Sequence, residues 1–256
     1  MTDAGETRIQ LCGRLVVQLE GTRVEDRLPG AKGRLLFGYL VLTRVRRMTR
    51  DELLVAVYGD EASPDQSASL SVLLSKLRAV VGSKVLTGRS EVELVLARDA
   101  FVDVEAALAA IHRAESHTAR GEWAEAWGPA GVAYHVASRP LLQGHDAPWI
   151  DEWRRRLDDV RVRGLECFAD VRLQLGAPTL TQAEACAREL IQLAPYRETG
   201  HRILIEALER RGNVAEALRA YEGLRVRLRN ELGVEPSIDL QRLYTRLLGA
   251  TDPTHA

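Results

Sequence analysis

Hydrophobic and polar positions in the first hundred residues follow a strand period first and a helical period afterwards. Apolar or alternating runs over 9–11 and 14–19, punctuated by Gly13 and Gly21, predict two short strands. Apolar residues then recur at helical spacing over 35–43, which predicts a helix.

Cations stand at both ends of this predicted helix. Lys32 and Arg34 lie at its start, where the helix dipole disfavours positive charge unless an anion such as a phosphate is bound there. A compact basic run follows the helix and comprises Arg44, Arg46, Arg47 and Arg50. Such a run is typical of a solvated loop, and equally of a surface that meets phosphates.

Two further helices are predicted before residue 82. Thr49 with Glu52 three positions later forms a capping box, which predicts a helix that ends at Tyr58. A polar turn containing Pro64 follows. The next helix spans 66–81 and carries one continuous apolar stripe.

The side of the 66–81 helix opposite its stripe is polar but lightly charged. It carries Ala68, Val72, Ser75, Lys76 and Ala79, with Ser71 and Arg78 flanking them. Such a surface suits a DNA major groove, because serine bonds phosphates or base edges, lysine reaches phosphate or guanine, and valine touches a thymine methyl. The alternative is an ordinary amphipathic helix with a small-residue surface.

A β-hairpin is predicted next. Strand-like runs over 85–87 and 92–96 flank the turn Gly88–Glu91. Strands, three helices and a closing hairpin follow one another in the order of a winged helix. Arg89 would then lie at the wing tip, where an arginine can enter a minor groove.

The pattern becomes helical almost throughout beyond Asp99. Helices are predicted over about 102–120, 122–137, 148–175, 180–194, 197–211, 213–231 and 237–248, separated by glycine and proline breaks. Arg120–Ala126 resembles Arg211–Ala217, and a further Ala-Glu-Ala stands at Ala183–Ala185. Its distance from the copy at 215–217 is near the period of tetratricopeptide (TPR) repeats, whose stacked helices form grooves for peptides or proteins.

Composition and charge fit a cytosolic protein of two domains. Hydrophobic residues make up 46% and charged residues 28% of the 256 positions, without a run long enough for a membrane span or an apolar signal core. Residues 1–98 hold 15 Lys and Arg against 12 Asp and Glu, whereas the remainder holds 20 against 24. A basic N-terminal part and an acidic C-terminal part are compatible with a nucleic-acid-binding domain joined to a protein-binding domain.

Residues for catalysis or metal binding are not arranged in any recognisable motif. Cys12, Cys167 and Cys186 lack metal-ligand spacing and are expected to be reduced, buried thiols. His112 and His117 do not share a helix face, and His135, His145, His201 and His255 have no ligand-spaced partner. Nucleophile elbows, P-loops and dinucleotide fingerprints are not found either. We therefore expect neither an enzyme nor a cofactor or metal site.

Four segments of the second half carry a resemblance to a known family. They are Ala194–Gly200, Glu206–Leu208, Arg211–Tyr221 and Glu231–Ser237. Together they resemble the bacterial transcriptional activator domain, which follows an OmpR-type winged helix in the Streptomyces antibiotic regulatory protein (SARP) family. Leu73–Arg78 is similar to the end of that family's recognition helix. The likeness covers about Ile9 to Leu248.

The resemblance implies an α+β winged helix over 1–98 followed by an all-α, TPR-like helical-repeat domain over 99–256. It also implies a transcription activator that binds promoter repeats in double-stranded DNA, commonly as a homodimer, and recruits RNA polymerase. The residues expected to contact DNA are Lys32, Arg34, Arg50, Ser71, Val72, Ser75, Lys76, Arg78 and Arg89.

The chain departs from the family pattern at two places. Position 73 is leucine where the family often has a polar recognition helix, and Glu91 and Glu93 stand where the wing usually has a Gly-Tyr pair. Acidic residues beside Arg89 weaken attraction to phosphate. A helical-repeat signalling module that binds a protein or ligand, with weak or lost DNA binding, is therefore the alternative function.

Overall fold

The computed structural model describes residues 5–59 and 64–250. The chain divides into two compact units, Met1–Leu108 with Val136–Asp158 and Ala109–His135 with Asp159–Ala256. The predicted domain boundary between residues 98 and 99 stays a prediction.

Short strands of the first unit form two small sheets. The strands in chain order are β1 (Arg8–Gln10), β2 (Val16–Leu19), β3 (Thr22–Arg23), β4 (Met48–Thr49), β5 (Leu86–Thr87), β6 (Glu91–Leu94) and β7 (Phe101–Val102). One sheet has the order β3-β2-β1-β7 and the other β4-β6-β5. β1 runs antiparallel to β2 and parallel to β7, whereas β6 is antiparallel to both of its neighbours.

Three helices lie between the strands of the first unit, namely α1 (Gly30–Leu42), α2 (Arg50–Tyr58) and α3 (Pro64–Val81). The predicted capping box is present, because the Thr49 hydroxyl accepts from the Glu52 amide while the Glu52 carboxylate accepts from the Thr49 amide. The apolar stripes of these helices are buried and include Leu36, Phe37, Leu40, Leu53, Leu70, Leu74 and Leu77. Residues 60–63 of the predicted polar turn lie outside the described residues.

A buried carboxylate fixes the end of β7. Sequence pattern predicted that Val102 opens a helix, but Val102 ends the strand and the helix begins at Asp103. The Asp103 carboxylate accepts backbone N–H bonds from Leu11, Cys12 and Val104. Burial outweighs these hydrogen bonds and raises the pKa of Asp103.

Residues 136–158 complete the first unit. Cys12 forms a β-bridge with Leu141, and the Leu142 amide donates to the Leu11 carbonyl over 2.9 Å. The Trp149 ring meets Tyr39 edge-on at 5.1 Å, and its indole N–H donates to the Ala56 carbonyl. Trp149 therefore packs against α1 and α2.

The rest of the chain is helical. The helices are α4 (Asp103–Ala119), α5 (Trp123–Ala137), α6 (Pro148–Gln174), α7 (Leu180–Leu193), α8 (Glu198–Arg210), α9 (Val214–Leu232) and α10 (Ile238–Ala250), each within two residues of its predicted ends. In the second unit α8 packs against both α7 and α9. Fully buried alanines, among them Ala183, Ala187, Ala207 and Ala217, allow these helices to approach closely.

Among the helices in the described ranges, none combines the length and apolar character needed to cross a membrane.

Candidate nucleic-acid interface

The outward face of α3 carries four of the residues predicted to contact DNA. Ser71, Val72, Ser75 and Lys76 are exposed together, and Val72 keeps 54% of its surface in solvent although it is apolar. The opposite face packs into the core through Leu70, Leu73, Leu74, Leu77 and Val81. α3 therefore has the orientation that its hydrophobic pattern predicts, with a small and weakly charged outer surface.

Arg50 joins three elements beside this surface. Its guanidinium donates to the Ser71 hydroxyl on α3 and to the Arg89 carbonyl in the hairpin turn. Arg50 itself lies in the first turn of α2. The hairpin turn that carries the exposed Arg89 is thereby held close to Ser71.

Arg78 stabilises the hairpin through two hydrogen bonds. Its Nε donates to the Leu86 carbonyl over 2.9 Å, and its Nη2 donates to the Gly88 carbonyl over 2.7 Å. The turn also depends on Gly88, which has a φ of +81°, and a Cβ there would lie 1.8 Å from the Glu91 carbonyl oxygen. Arg78 is thus engaged by the wing, a role that the sequence did not indicate.

Lys32 and Arg34, predicted as a pair, face different surroundings. The Lys32 ammonium lies 3.9 Å from the centre of the Tyr58 ring, in a groove of about 850 Å³ that Val72 and Lys76 also line. Arg34 instead lines a cavity with His145 and other residues. The structure therefore brings Lys32 to the α3 surface but not Arg34. Tyr58 also belongs to this site, although its sequence pattern indicated only the end of a helix.

Part of the predicted basic run is neutralised by carboxylates. Arg44 pairs with Glu105 at 2.6 Å, Arg46 with Glu52 at 2.7 Å and Arg47 with Glu93 at 3.2 Å. The hydrogen bond from the Thr49 amide has the largest lowering effect on the pKa of Glu52, and the hydrogen bond from Arg46 has the next largest. Glu93 is thus partly compensated, whereas Glu91 remains exposed.

The cations nearest α3 behave differently. Lys32, Lys76 and Arg89 form no ion pair within the described part of the chain, and Arg50 and Arg78 bond only neutral oxygens there. Neutral acceptors leave the positive charge uncompensated. The surface therefore attracts anions, although the whole chain carries a net charge of −1.

Groups for metal binding or nucleophilic chemistry are not assembled among residues 5–59 and 64–250. No cluster of three or more potential ligands occurs there. The three cysteines are free, and burial raises the pKa of Cys167 to about 11. His255 lies outside the described residues. The arrangement around α3 is suited to binding an anionic partner.

The amino-acid sequence is similar to a known family model and to several regulatory proteins. The model of the family "Bacterial transcriptional activator domain" matches residues 102–248, more than half of the chain. Regulatory protein AfsR of Streptomyces griseus is 32% identical over 229 residues, which cover 86% of this chain and 22% of that protein. AfsR of Streptomyces coelicolor is 31% identical over 256 residues, which cover 99% of this chain and 25% of the relative. The chain thus spans about a quarter of the length of these relatives.

A solved structure has the same fold. Mycobacterium tuberculosis EmbR, in complex with a low affinity phosphopeptide, superposes with a TM-score of 0.78 at 21% identity, covering 97% of this chain and 66% of that chain. The predicted winged helix followed by an all-α helical-repeat domain is confirmed, as is the predicted resemblance to SARP regulators.

Proposed function

Because the chain belongs to the family of SARP-like regulators that carry the bacterial transcriptional activator domain, we propose that it is a DNA-binding transcriptional activator whose α3 enters the major groove. The observation that carries this proposal is the exposed cluster of Ser71, Val72, Ser75 and Lys76 on α3. An inward-facing or fully ion-paired α3 surface would have argued against it. The matched relatives are named as regulatory proteins.

The chemistry of each side chain suggests its role. Lys76 would donate to guanine or phosphate, the serine hydroxyls would bond phosphates or base edges, and Val72 would meet a thymine methyl. Arg89 would enter the minor groove from the hairpin. Lys32 and Arg50 would bind phosphates and fix the register of α3 on the duplex.

Arg78 and Arg34 were both predicted to contact DNA, but the proposal assigns neither of them a direct contact. Arg78 acts through the hairpin that it braces, so its contribution to DNA binding is indirect. Arg34 faces the cavity that His145 also lines. A phosphate contact by Arg34 stays a prediction.

The wider functional assignment follows the family. We propose that residues 1–98 bind repeated promoter half-sites in double-stranded DNA, with two copies of the chain side by side. Residues 99–256 would then contact RNA polymerase. The family match over residues 102–248 supports a separate activator domain at about this boundary.

Selection of random duplex DNA on the purified chain at two salt concentrations tests the proposal. We expect an enriched half-site that occurs as a repeat, with binding that weakens steeply as salt rises. Lys76→Ala should reduce affinity for the selected site. Arg113→Ala, which removes one exposed cation from the second unit, is the charge-matched control and should not. Binding without any enriched sequence, or equal loss in both variants, would contradict the assignment.

A further inference from the structure

A groove of about 480 Å³ lies in the second unit, formed by α7, α8 and α9. Its floor is apolar and includes Ile191, Leu204, Leu208 and Leu224. Its rim carries the arginines Arg188, Arg219 and Arg227 and one carboxylate, Glu216. An apolar floor below a basic rim favours a ligand that combines apolar and acidic groups.

Arg219 and Arg227 differ from most arginines of this unit. Arg163 bonds Glu115 at 2.7 Å, and Arg202 bonds Asp170 at 3.2 Å. Arg219 and Arg227 form no ion pair with any described residue, although Arg219 is exposed and Arg227 half-buried. Their charges are therefore uncompensated at the groove.

The third rim arginine is already engaged. Arg188 lies 2.9 Å from Glu184 and 3.8 Å from Glu216. The carboxylates next to it offset its charge. Positive potential in the groove consequently comes from the α9 side.

Gly223 lies midway between Arg219 and Arg227 on α9 and lines the same groove. Glycine in a helix interior is less favourable than alanine, so its presence calls for a local cause. A Cβ at Gly223 would meet no atom within 4 Å, so close packing does not require glycine there. The missing side chain leaves the space between the two arginines open.

We propose that this groove binds an acidic peptide segment of a partner protein in extended conformation, with one carboxylate at Arg219, another at Arg227 and an apolar side chain over Gly223. The inference is independent of DNA binding by α3. Positions eight residues apart on a helix are separated by about 12 Å along its axis. An extended chain covers this distance in about four residues.

The alternation of side chains along an extended peptide allows all three contacts to form at the same time. Side chains at alternate positions of an extended peptide point to the same side. Two acidic residues four positions apart and the residue midway between them therefore face the groove together. The middle side chain would reach the apolar floor formed by Leu204, Leu208 and Leu224.

Fluorescence anisotropy with the full chain tests this proposal. The probe is a short labelled peptide with two glutamates four positions apart and a leucine midway; its counterpart has lysines in place of the glutamates. We expect the glutamate peptide alone to bind, and its affinity to fall as salt rises. Arg219→Ala and Arg227→Ala should each weaken binding roughly tenfold, the usual range for a charged hydrogen bond.

Gly223→Leu is the steric test, because it fills the open space between the arginines and its Cβ meets no atom within 4 Å. We expect it to abolish peptide binding while circular dichroism shows an unchanged helical fold. Arg225→Ala is the matched control on the same helix, since Arg225 pairs with Glu222 at 2.9 Å, and it should leave binding unchanged.

Three results would overturn the proposal. They are no binding of the glutamate peptide, full binding by a folded Gly223→Leu variant, and displacement of the peptide by duplex DNA in a manner that depends on Arg219. The last result would assign the groove to nucleic acid.

Discussion

The arginines of the helical second unit and the cations around α3 in the first unit have different partners. In the second unit arginine is usually bonded to carboxylate, as in Arg161–Glu189, Arg163–Glu115, Arg197–Glu166, Arg202–Asp170 and Arg246–Glu209. Around α3, Arg50 and Arg78 bond a hydroxyl and backbone carbonyls, while Lys32 bonds the face of a tyrosine ring.

The difference separates two uses of positive charge. An ion pair fixes the two side chains and cancels their field, so it serves the helix stack itself. A guanidinium that bonds carbonyl oxygens is fixed equally well but keeps its field, which remains available to an anion. Counting charges along the sequence cannot distinguish the two uses, because residues 1–98 carry only three more cations than acids.

The largest expected effect comes from a substitution in the hairpin turn that alters no charge. We expect Gly88→Ala to lower the free energy of unfolding by about 3 kcal/mol, because a Cβ would lie 1.8 Å from the Glu91 carbonyl at a φ of +81°. Urea denaturation measures this loss. DNA affinity should fall as well, since the hairpin presents Arg89.

Gly82→Ala is the matched control for that substitution. Gly82 also has a positive φ, of +96°, but a Cβ there meets nothing within 4 Å. It should therefore cost only about 1 kcal/mol, the conformational part alone. Equal losses in the two variants would show that the close approach in the hairpin turn is unimportant.

Removal of the Arg78 guanidinium should produce the next largest effect. We expect Arg78→Ala to destabilise the chain by about 2 kcal/mol, since two charge-assisted bonds to the hairpin are lost. Arg78→Lys keeps the charge but cannot bond both carbonyls at once, so it should recover DNA affinity only in part. Full recovery by lysine would mean that Arg78 contributes charge alone. Chemical denaturation and a DNA-binding titration on the same samples distinguish these outcomes.

Local pattern predicted much of this fold and part of the site. The stripe of Leu70, Leu73 and Leu77 fixed which face of α3 is buried, so the exposure of Val72 and Lys76 followed from spacing alone. Helix ends were found because glycine, proline and capping residues act within a few positions.

Contacts between distant residues could not be predicted in the same way. β4 and β7 have two residues each, too few for any period to show, and they form only because β6 and β1 are there to pair with them. The bonds from the Leu11 amide to the Asp103 carboxylate and from Arg44 to Glu105 join residues far apart in the chain. The sequence shows the chemical groups but not which partner reaches them.

Lys76→Ala tests whether an unpaired cation on α3 contributes to DNA binding and not to stability. We expect the free energy of unfolding to change by less than about 0.5 kcal/mol, because Lys76 is exposed and makes no ion pair among the described residues. Affinity for the selected DNA should fall by about 1 kcal/mol, with the salt slope smaller by about one if Lys76 binds a phosphate. A large stability loss with unchanged DNA binding would reverse the roles assigned to the two regions. Denaturation and binding titrations at several salt concentrations provide both readouts.

Arg163→Ala is the corresponding change in the helical unit. Its ion pairs with Glu115 and Asp159 are partly exposed, so solvent screening limits the expected stability loss to about 1 kcal/mol. DNA affinity should be unchanged. Arg163 lowers the pKa of Glu115, and this carboxylate therefore stabilises the fold above its unfolded pKa and loses that contribution as pH falls through the folded value. In the variant this acid-side loss should shrink, which denaturation at a series of pH values measures.

The smallest expected effect concerns Glu122, whose side chain keeps 40% of its surface in solvent. Hydrogen bonds from Arg120 and His117 lower its pKa to about 2. Its charged form is therefore favoured by folding at neutral pH, and that preference disappears as pH falls from the ordinary glutamate range towards 2. Arg120→Ala should raise the pKa of Glu122 towards the ordinary value, as carbon-detected NMR titration of the carboxylate would show, while binding to DNA stays the same. An unshifted Glu122 would mean that solvent screens even this short ion pair, and the contrast between the two regions would then rest on the half-buried pairs alone.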